Sequence, residues 1–186
     1  MSLTYFMIKF QLHPFSENTT QVSGVISRYG SELNLNLQLS PASTLVLPTT
    51  EEASKRRVGL WQETCVEIFL KNQQSTEYLE YNLSPSGDWN LFFFKDYRVA
   101  YRGELFELPM TEVPGITHSL SSEGLWRFDA LVPLPKTIPW TKSVGQLEVG
   151  LSFVMKTQES GPHYFSLEHL KEKPDFHDPA SFKLRI

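Results

Sequence analysis

Three runs decide the fold class: Thr64-Cys65-Val66-Glu67-Ile68-Phe69-Leu70, then Glu77-Tyr78-Leu79-Glu80-Tyr81-Asn82-Leu83-Ser84, then Trp89-Asn90-Leu91-Phe92-Phe93-Phe94-Lys95. The first two alternate with a period of two. Val66, Ile68 and Leu70 share one face with Leu79, Tyr81 and Leu83, and Glu67 and Phe69 share the other with Tyr78, Glu80 and Asn82. That period is the mark of a strand with one buried face. The runs predict strands over about 64–70, 77–84 and 89–95, joined as an antiparallel meander. The all-apolar faces must lie on the same side, and the link Lys71–Thr76 is short, so Leu70 is expected opposite Glu77. Glu67 then faces Glu80 directly.

Working outward, the same period recurs. Phe6, Ile8, Phe10 and Leu12 alternate with Met7, Lys9 and Gln11, and Leu33, Leu35, Leu37 and Leu39 with Glu32, Asn34, Asn36 and Gln38. Trp126–Val132, Leu147–Met155 and Phe182–Ile186 repeat it. Turn-forming clusters separate the runs, such as Ser84-Pro85-Ser86-Gly87-Asp88, Val113-Pro114-Gly115 and Ser160-Gly161-Pro162. The pattern predicts an all-β, antiparallel two-sheet β-sandwich of immunoglobulin-like or jelly-roll-like type, with roughly ten to twelve strands. A closed barrel is the alternative. Short helical turns are expected only near 51–58 and 168–172. No linker or repeat divides the chain, so residues 1–186 read as one domain.

Composition narrows the function. Hydrophobic residues make up 40% and charged residues 20%, which is a folded chain. The net charge of −4 provides no broad basic surface, so neither nucleic acid nor an anionic membrane is an expected partner. No apolar run is long enough to span a membrane, and the N-terminus lacks a secretory pattern; a cytoplasmic protein is expected. The single cysteine, Cys65, excludes an intrachain disulfide, and its place inside a strand predicts a buried, inert thiol.

The informative face is the mixed one. Like charges opposite each other on neighbouring strands are destabilising, so Glu67 and Glu80 need relief. A shared proton, a cation such as Arg98 or Lys95, a metal ion, water, or simple solvent exposure would each supply it. Aromatic, carboxylate and amide groups together also resemble the lining of a polar-ligand groove. Trp61, at the end of the irregular stretch 41–63, and Trp89 are expected at the same rim, beside the Ser84–Asp88 turn. Either ring would stack on a flat apolar ligand surface.

The runs Leu60-Trp61 to Phe69, Tyr78 to Trp89 and Asp96-Tyr97-Arg98, with Lys173-Pro174-Asp175-Phe176-His177-Asp178 near the C-terminus, resemble the DOMON-like domains related to the family 9 carbohydrate-binding modules. The resemblance is strong over residues 60–100 and looser over the rest. It implies a β-sandwich that binds a sugar or a haem. On that basis the expected ligand is a carbohydrate or similar polyhydroxylated small molecule, bound without catalysis. Trp61 and Trp89 would stack, Glu67, Glu80 and Asn82 would hydrogen-bond, and Arg98 and His177 would assist.

Two alternatives stand beside it. A glycoside hydrolase would use Glu67 and Glu80 as its acid and nucleophile, since retaining enzymes hold these about 5–5.5 Å apart. A haem-binding electron-transfer module would need axial ligands, and Met155 with His163 is the available pair, although Met155 falls on an apolar alternation. Asp175 and His177 are metal-capable, but Pro174 and Pro179 bracket them in what reads as a structural turn. No metal or other cofactor is expected.

Overall fold

A computed structural model describes residues 5–49, 54–101, 107–143, 146–158 and 161–186. Glu51 and Glu52, in the irregular stretch, and the start of the helical turn expected at 51–58 lie outside these residues. Twelve strands run through the described chain: β1 (Tyr5–Pro14), β2 (Gln21–Tyr29), β3 (Glu32–Ser40), β4 (Cys65–Asn72), β5 (Tyr78–Leu83), β6 (Trp89–Asp96), β7 (Val99–Ala100), β8 (Gly115–Leu120), β9 (Trp126–Pro133), β10 (Leu147–Met155), β11 (His163–Ser166) and β12 (Leu184–Arg185). All their pairings are antiparallel, as expected. One sheet has the order β1-β2-β3-β9-β8. The other runs β7-β6-β5-β4-β10-β11, with β12 added beside β10. The C-terminal end of β1 pairs with β11, through His13–Ser166 and Pro14–Phe165, and so ties the two layers together on one side. Among the described residues the strand path ends at β7 and β8, so the sandwich is open there and does not close into a barrel.

The core lies where the alternation puts it. Leu33, Leu35, Leu37 and Leu39 of β3 face Val66, Ile68 and Leu70 of β4, with Trp126, Phe128 and Phe153 filling the space between the layers. Each such side chain contributes about 1.5–3 kcal/mol when fully buried. Met155 belongs to this core, as its alternation predicted.

Two expectations are corrected. Among the described residues, helical turns are confined to short 3-10 segments at Leu60–Gln62, Pro139–Lys142 and Pro179–Ser181, and 168–172 is irregular. The β4–β5 register is also shifted by two residues: Phe69 lies opposite Glu80 and Glu67 opposite Asn82, so the two glutamates are diagonal neighbours. β4 continues to Asn72, two residues past its expected end, and the last pair is Lys71–Tyr78 in place of Leu70–Glu77. The diagonal arrangement relieves part of the repulsion that direct opposition would cause.

The layer containing β4 has a second buried face. Its outer side carries Phe69, Tyr78, Phe92 and Phe94, and Phe182 packs on them. Phe182 stacks on Phe69 at 5.5 Å, and Tyr78 stacks on Phe94 at 4.8 Å. The C-terminal segment after β11 therefore lies across this face like a strap. It comes close because position 150 on β10 is glycine: a Cβ there would stand 2.4 Å from the Phe182 ring. An outer face expected to be half wet is instead the wall of a covered space.

Candidate functional site

Between the strap and the outer face is a pocket of about 350 Å³. Glu67 of β4 and Glu80 of β5 line its floor, with Phe92 and Phe94 of β6 beside them. Trp61, from the 3-10 turn before β4, stands edge-on to Phe92 at 5.9 Å. Phe176 and His177 of the strap and Tyr164 of β11 complete the opposite wall, and Arg98 lines the space from the turn between β6 and β7.

The carboxyls are buried, Glu67 at 4% exposure and Glu80 at 5%. The Ser152 hydroxyl donates to Glu67 Oε2 at 2.6 Å, and the Asn82 amide donates to Glu80 Oε1 at 2.8 Å. Both donors are neutral. Burial therefore pushes Glu67 well above the ordinary carboxylate range. Burial, and then the charge of Glu67, push Glu80 higher still. Of the options the sequence left open, a retained proton on the pair is the one this geometry favours.

His177 is fixed by Tyr78. The Tyr78 oxygen accepts from the Arg98 backbone N–H at 3.1 Å and lies 2.8 Å from His177 Nδ1. The hydrogen bond between the Tyr78 hydroxyl and Nδ1 holds the imidazole in place and turns its Nε2 toward Glu80. Nε2 sits 3.7 Å from Glu80 Oε2, beyond hydrogen-bond range. Burial, followed by the nearby Arg98 charge, lowers His177 to about 4, so it is neutral at neutral pH and this contact is not an ion pair.

The rim is clamped by Asp175. Its carboxylate accepts from Arg98 at 2.9 Å, from Lys171 at 2.6 Å and from the Tyr97 hydroxyl at 2.5 Å. Burial alone would raise Asp175, but these donors outweigh it and hold it well below the usual range. The clamp fastens the strap to the β6–β7 turn, where Arg98 takes a left-handed φ of 54°. Such a conformation costs of order 1 kcal/mol in a residue with a side chain, and the three-way pairing offsets it.

The structure thus brings together Trp61, Glu67, Glu80, Arg98 and His177, five of the residues singled out from the sequence. Asn82 lies behind the floor, fully buried, and orients Glu80. Trp89 is on the opposite side. It faces the core between the layers at 5% exposure, with the Arg56 guanidinium 5.0 Å above its ring. The loop at 54–57 does meet the Ser84–Asp88 turn, through Asp88 accepting from the Lys55 N–H and from Arg57. The two tryptophans nonetheless point to different faces, so Trp89 cannot stack on anything in the pocket. Sequence reasoning missed Phe92, Phe94, Tyr164 and Phe176. Phe176 was visible in the C-terminal motif and Phe92 and Phe94 in the aromatic run of β6, whereas Tyr164 carried no distinguishing signal.

The metal and haem groups can be tested against these positions. Among the described residues no group of three or more His, Cys, Asp or Glu side chains could hold a metal ion. Asp175 is fully committed to its donors. Met155 and His163 are paired across β10 and β11, so their side chains project to the same side, whereas axial haem ligands must approach from opposite faces of the ring. That ligand pair does not fit a haem. A retaining glycosidase needs one ionised carboxylate as nucleophile, and burial opposes this for both Glu67 and Glu80.

No protein-family model matches the chain, and no curated protein matches it by sequence. Solved structures do match. A protein from Bacteroides uniformis, described as a candidate carbohydrate-binding protein, superposes with a TM-score of 0.64 at 19% identity, covering 94% of this chain and 84% of its own. A family 9 carbohydrate-binding module from Caldicellulosiruptor kristjanssonii, solved with cellotriose, superposes with a TM-score of 0.50 at 12% identity, covering 87% of this chain and 72% of the module. At these identities the likeness is one of fold: the chain has the β-sandwich architecture of these two proteins.

Proposed function

We propose that this chain is a non-catalytic binding domain of the DOMON-like type, and that its pocket takes a carbohydrate or similar polyhydroxylated small molecule. The observation that carries the reading is the pairing of aromatic walls with a buried polar floor. Trp61 and Phe176 offer apolar faces for the C–H side of a sugar ring. The protonated carboxyls, the ring Nε2 of His177 and the Arg98 guanidinium offer hydrogen-bond partners for hydroxyls. The pocket volume suits a small ligand. The shared fold with a family 9 module solved with cellotriose supports the reading.

Calorimetric titration with a panel of mono- and disaccharides tests it. Binding is expected, and Trp61→Ala should weaken it about 2- to 13-fold, since a stacking aromatic contributes about 0.5–1.5 kcal/mol. Trp89→Phe should leave affinity unchanged, because that ring packs in the core. A flat titration across the whole panel would refute the proposal, as would full affinity in the Trp61 variant.

A further inference from the structure

We propose that the ligand carries a protonated amine, an amino sugar being the class that fits, and that its ammonium group sits over Glu67 and Glu80. This rests on the carbohydrate reading above and specifies it further.

Glu67 Oε1 has no hydrogen-bond partner among the described residues, and Glu80 Oε2 has only His177 Nε2 at 3.7 Å. Both side chains are more than nine-tenths buried and both line the pocket. Three titratable groups packed around them, Cys65, Tyr78 and His177, bring no countercharge. Cys65 of β4 is fully buried, and burial and then the Glu67 charge raise its thiol well above normal. Tyr78 of β5 is raised by burial and is neutral. His177 of the strap is held neutral by burial and the nearby Arg98 charge.

The nearest cation, Arg98, pairs with Asp175 at 2.9 Å, and Lys171 pairs with Asp175 and Asp178. Those two cations and two carboxylates cancel one another. The floor is left with two acid oxygens that have no short hydrogen bond, and the cation that acts on them, Arg98, is held by Asp175.

A neutral polyol would leave the pair protonated, its free oxygens without a charged partner. An ammonium group supplies one. Its N–H groups would donate to the two free oxygens as charge-assisted bonds, which are roughly twice as strong as neutral ones. The rings of Trp61, Phe92 and Phe94 around the floor would add their electron-rich faces, which attract a cation. The proton held by the acid pair would leave for solvent as the ammonium arrives, so binding of the charged amine is coupled to proton release.

The test is titration of the full chain at pH 7 with glucosamine, glucose and N-acetylglucosamine, each in two buffers of different ionisation enthalpy. Glucosamine is expected to bind about 10- to 100-fold more tightly than the two neutral sugars, the range for a charge-assisted hydrogen bond. Its apparent enthalpy should differ between buffers by the amount that one released proton dictates. Glu67→Gln and Glu80→Gln keep the shape and neutrality of the protonated acids, so both should fold, and in both the preference for glucosamine should collapse.

Glucose binding as tightly as glucosamine overturns this inference and leaves the carbohydrate reading standing. An undiminished glucosamine preference in both Gln variants, or a buffer-independent enthalpy, also overturns it. Failure of all three sugars, together with the wider panel, overturns both proposals.

Discussion

Gly150→Ala isolates the contact that lets the strap lie flat. An added Cβ would stand 2.4 Å from Phe182 Cδ1 and 2.8 Å from Cε1, whereas ordinary contact begins near 3.4 Å. The ring must withdraw by about 1 Å, the difference between the first and last of these distances. It has little room, because it stacks on Phe69 at 5.5 Å and is only 5% exposed. Overpacking of this kind costs about 1–3 kcal/mol. Restricting the unfolded chain by replacing glycine returns about 0.4–1 kcal/mol. The net loss is about 1–2 kcal/mol, which for a domain of this size lowers Tm by about 2–8 °C.

Thermal and urea unfolding followed by tryptophan fluorescence would measure it. The decisive comparison is a double-mutant cycle. Phe182→Ala alone should cost about 3–5 kcal/mol, and Gly150→Ala added to it should cost nothing further, because the obstructing ring is gone. An equal loss in both backgrounds, or no loss in the wild-type background, would show that Phe182 does not hold the strap against β10.

Three further predictions concern stability and reactivity. Below the ordinary carboxylate range Glu67 and Glu80 are protonated in both folded and unfolded chains; above it only the unfolded chain ionises, so stability should fall from about pH 5 to pH 8. Glu80→Gln should flatten that fall and be the more stable protein at pH 8, and chemical denaturation across pH reads this directly; an unchanged slope contradicts the burial argument. Arg28 is 2% exposed and its guanidinium donates to the carbonyls of Gly30, Thr141 and Ser143. Lysine cannot reproduce that fork, so Arg28→Lys should cost about 1–3 kcal/mol in a denaturation series. Cys65 is fully buried with a raised thiol, so a thiol reagent should label it only as fast as the chain opens; rapid labelling of the native protein would place it at the surface.

Alternation made the core legible. In β3, β4 and β5 one parity is apolar, and the structure buries that parity between the layers. The site was legible only where a polar residue broke the pattern. Glu67 and Glu80 stood out because carboxylates on a strand need an explanation, and His177 because it sits in an aspartate-rich turn. β6 defeated the same logic: Trp89 to Phe94 is apolar at nearly every position, so parity is not readable there. The structure turns Trp89, Leu91 and Phe93 inward and Phe92 and Phe94 toward the pocket. Register in the β4–β5 pair failed for a different reason, since both strands continue their alternation across a polar link whose closing length no residue marks. The strap was invisible because it has no period, and its placement depends on Gly150, far away in sequence.

The spread of the pocket along the chain has a consequence for biosynthesis. Its walls are drawn from Trp61 through to His177. When β4, β5 and β6 leave the ribosome, their outer face displays Phe69, Tyr78, Phe92 and Phe94 with nothing yet to cover it. Neither β10, which adjoins β4, nor the strap has been made. The nascent chain therefore carries an exposed aromatic sheet for about as long as it takes to add the remaining residues, which is seconds at ordinary synthesis rates. A chaperone that shields such a surface should bind intermediates stalled between β6 and β10 and release them once residues 174–182 emerge.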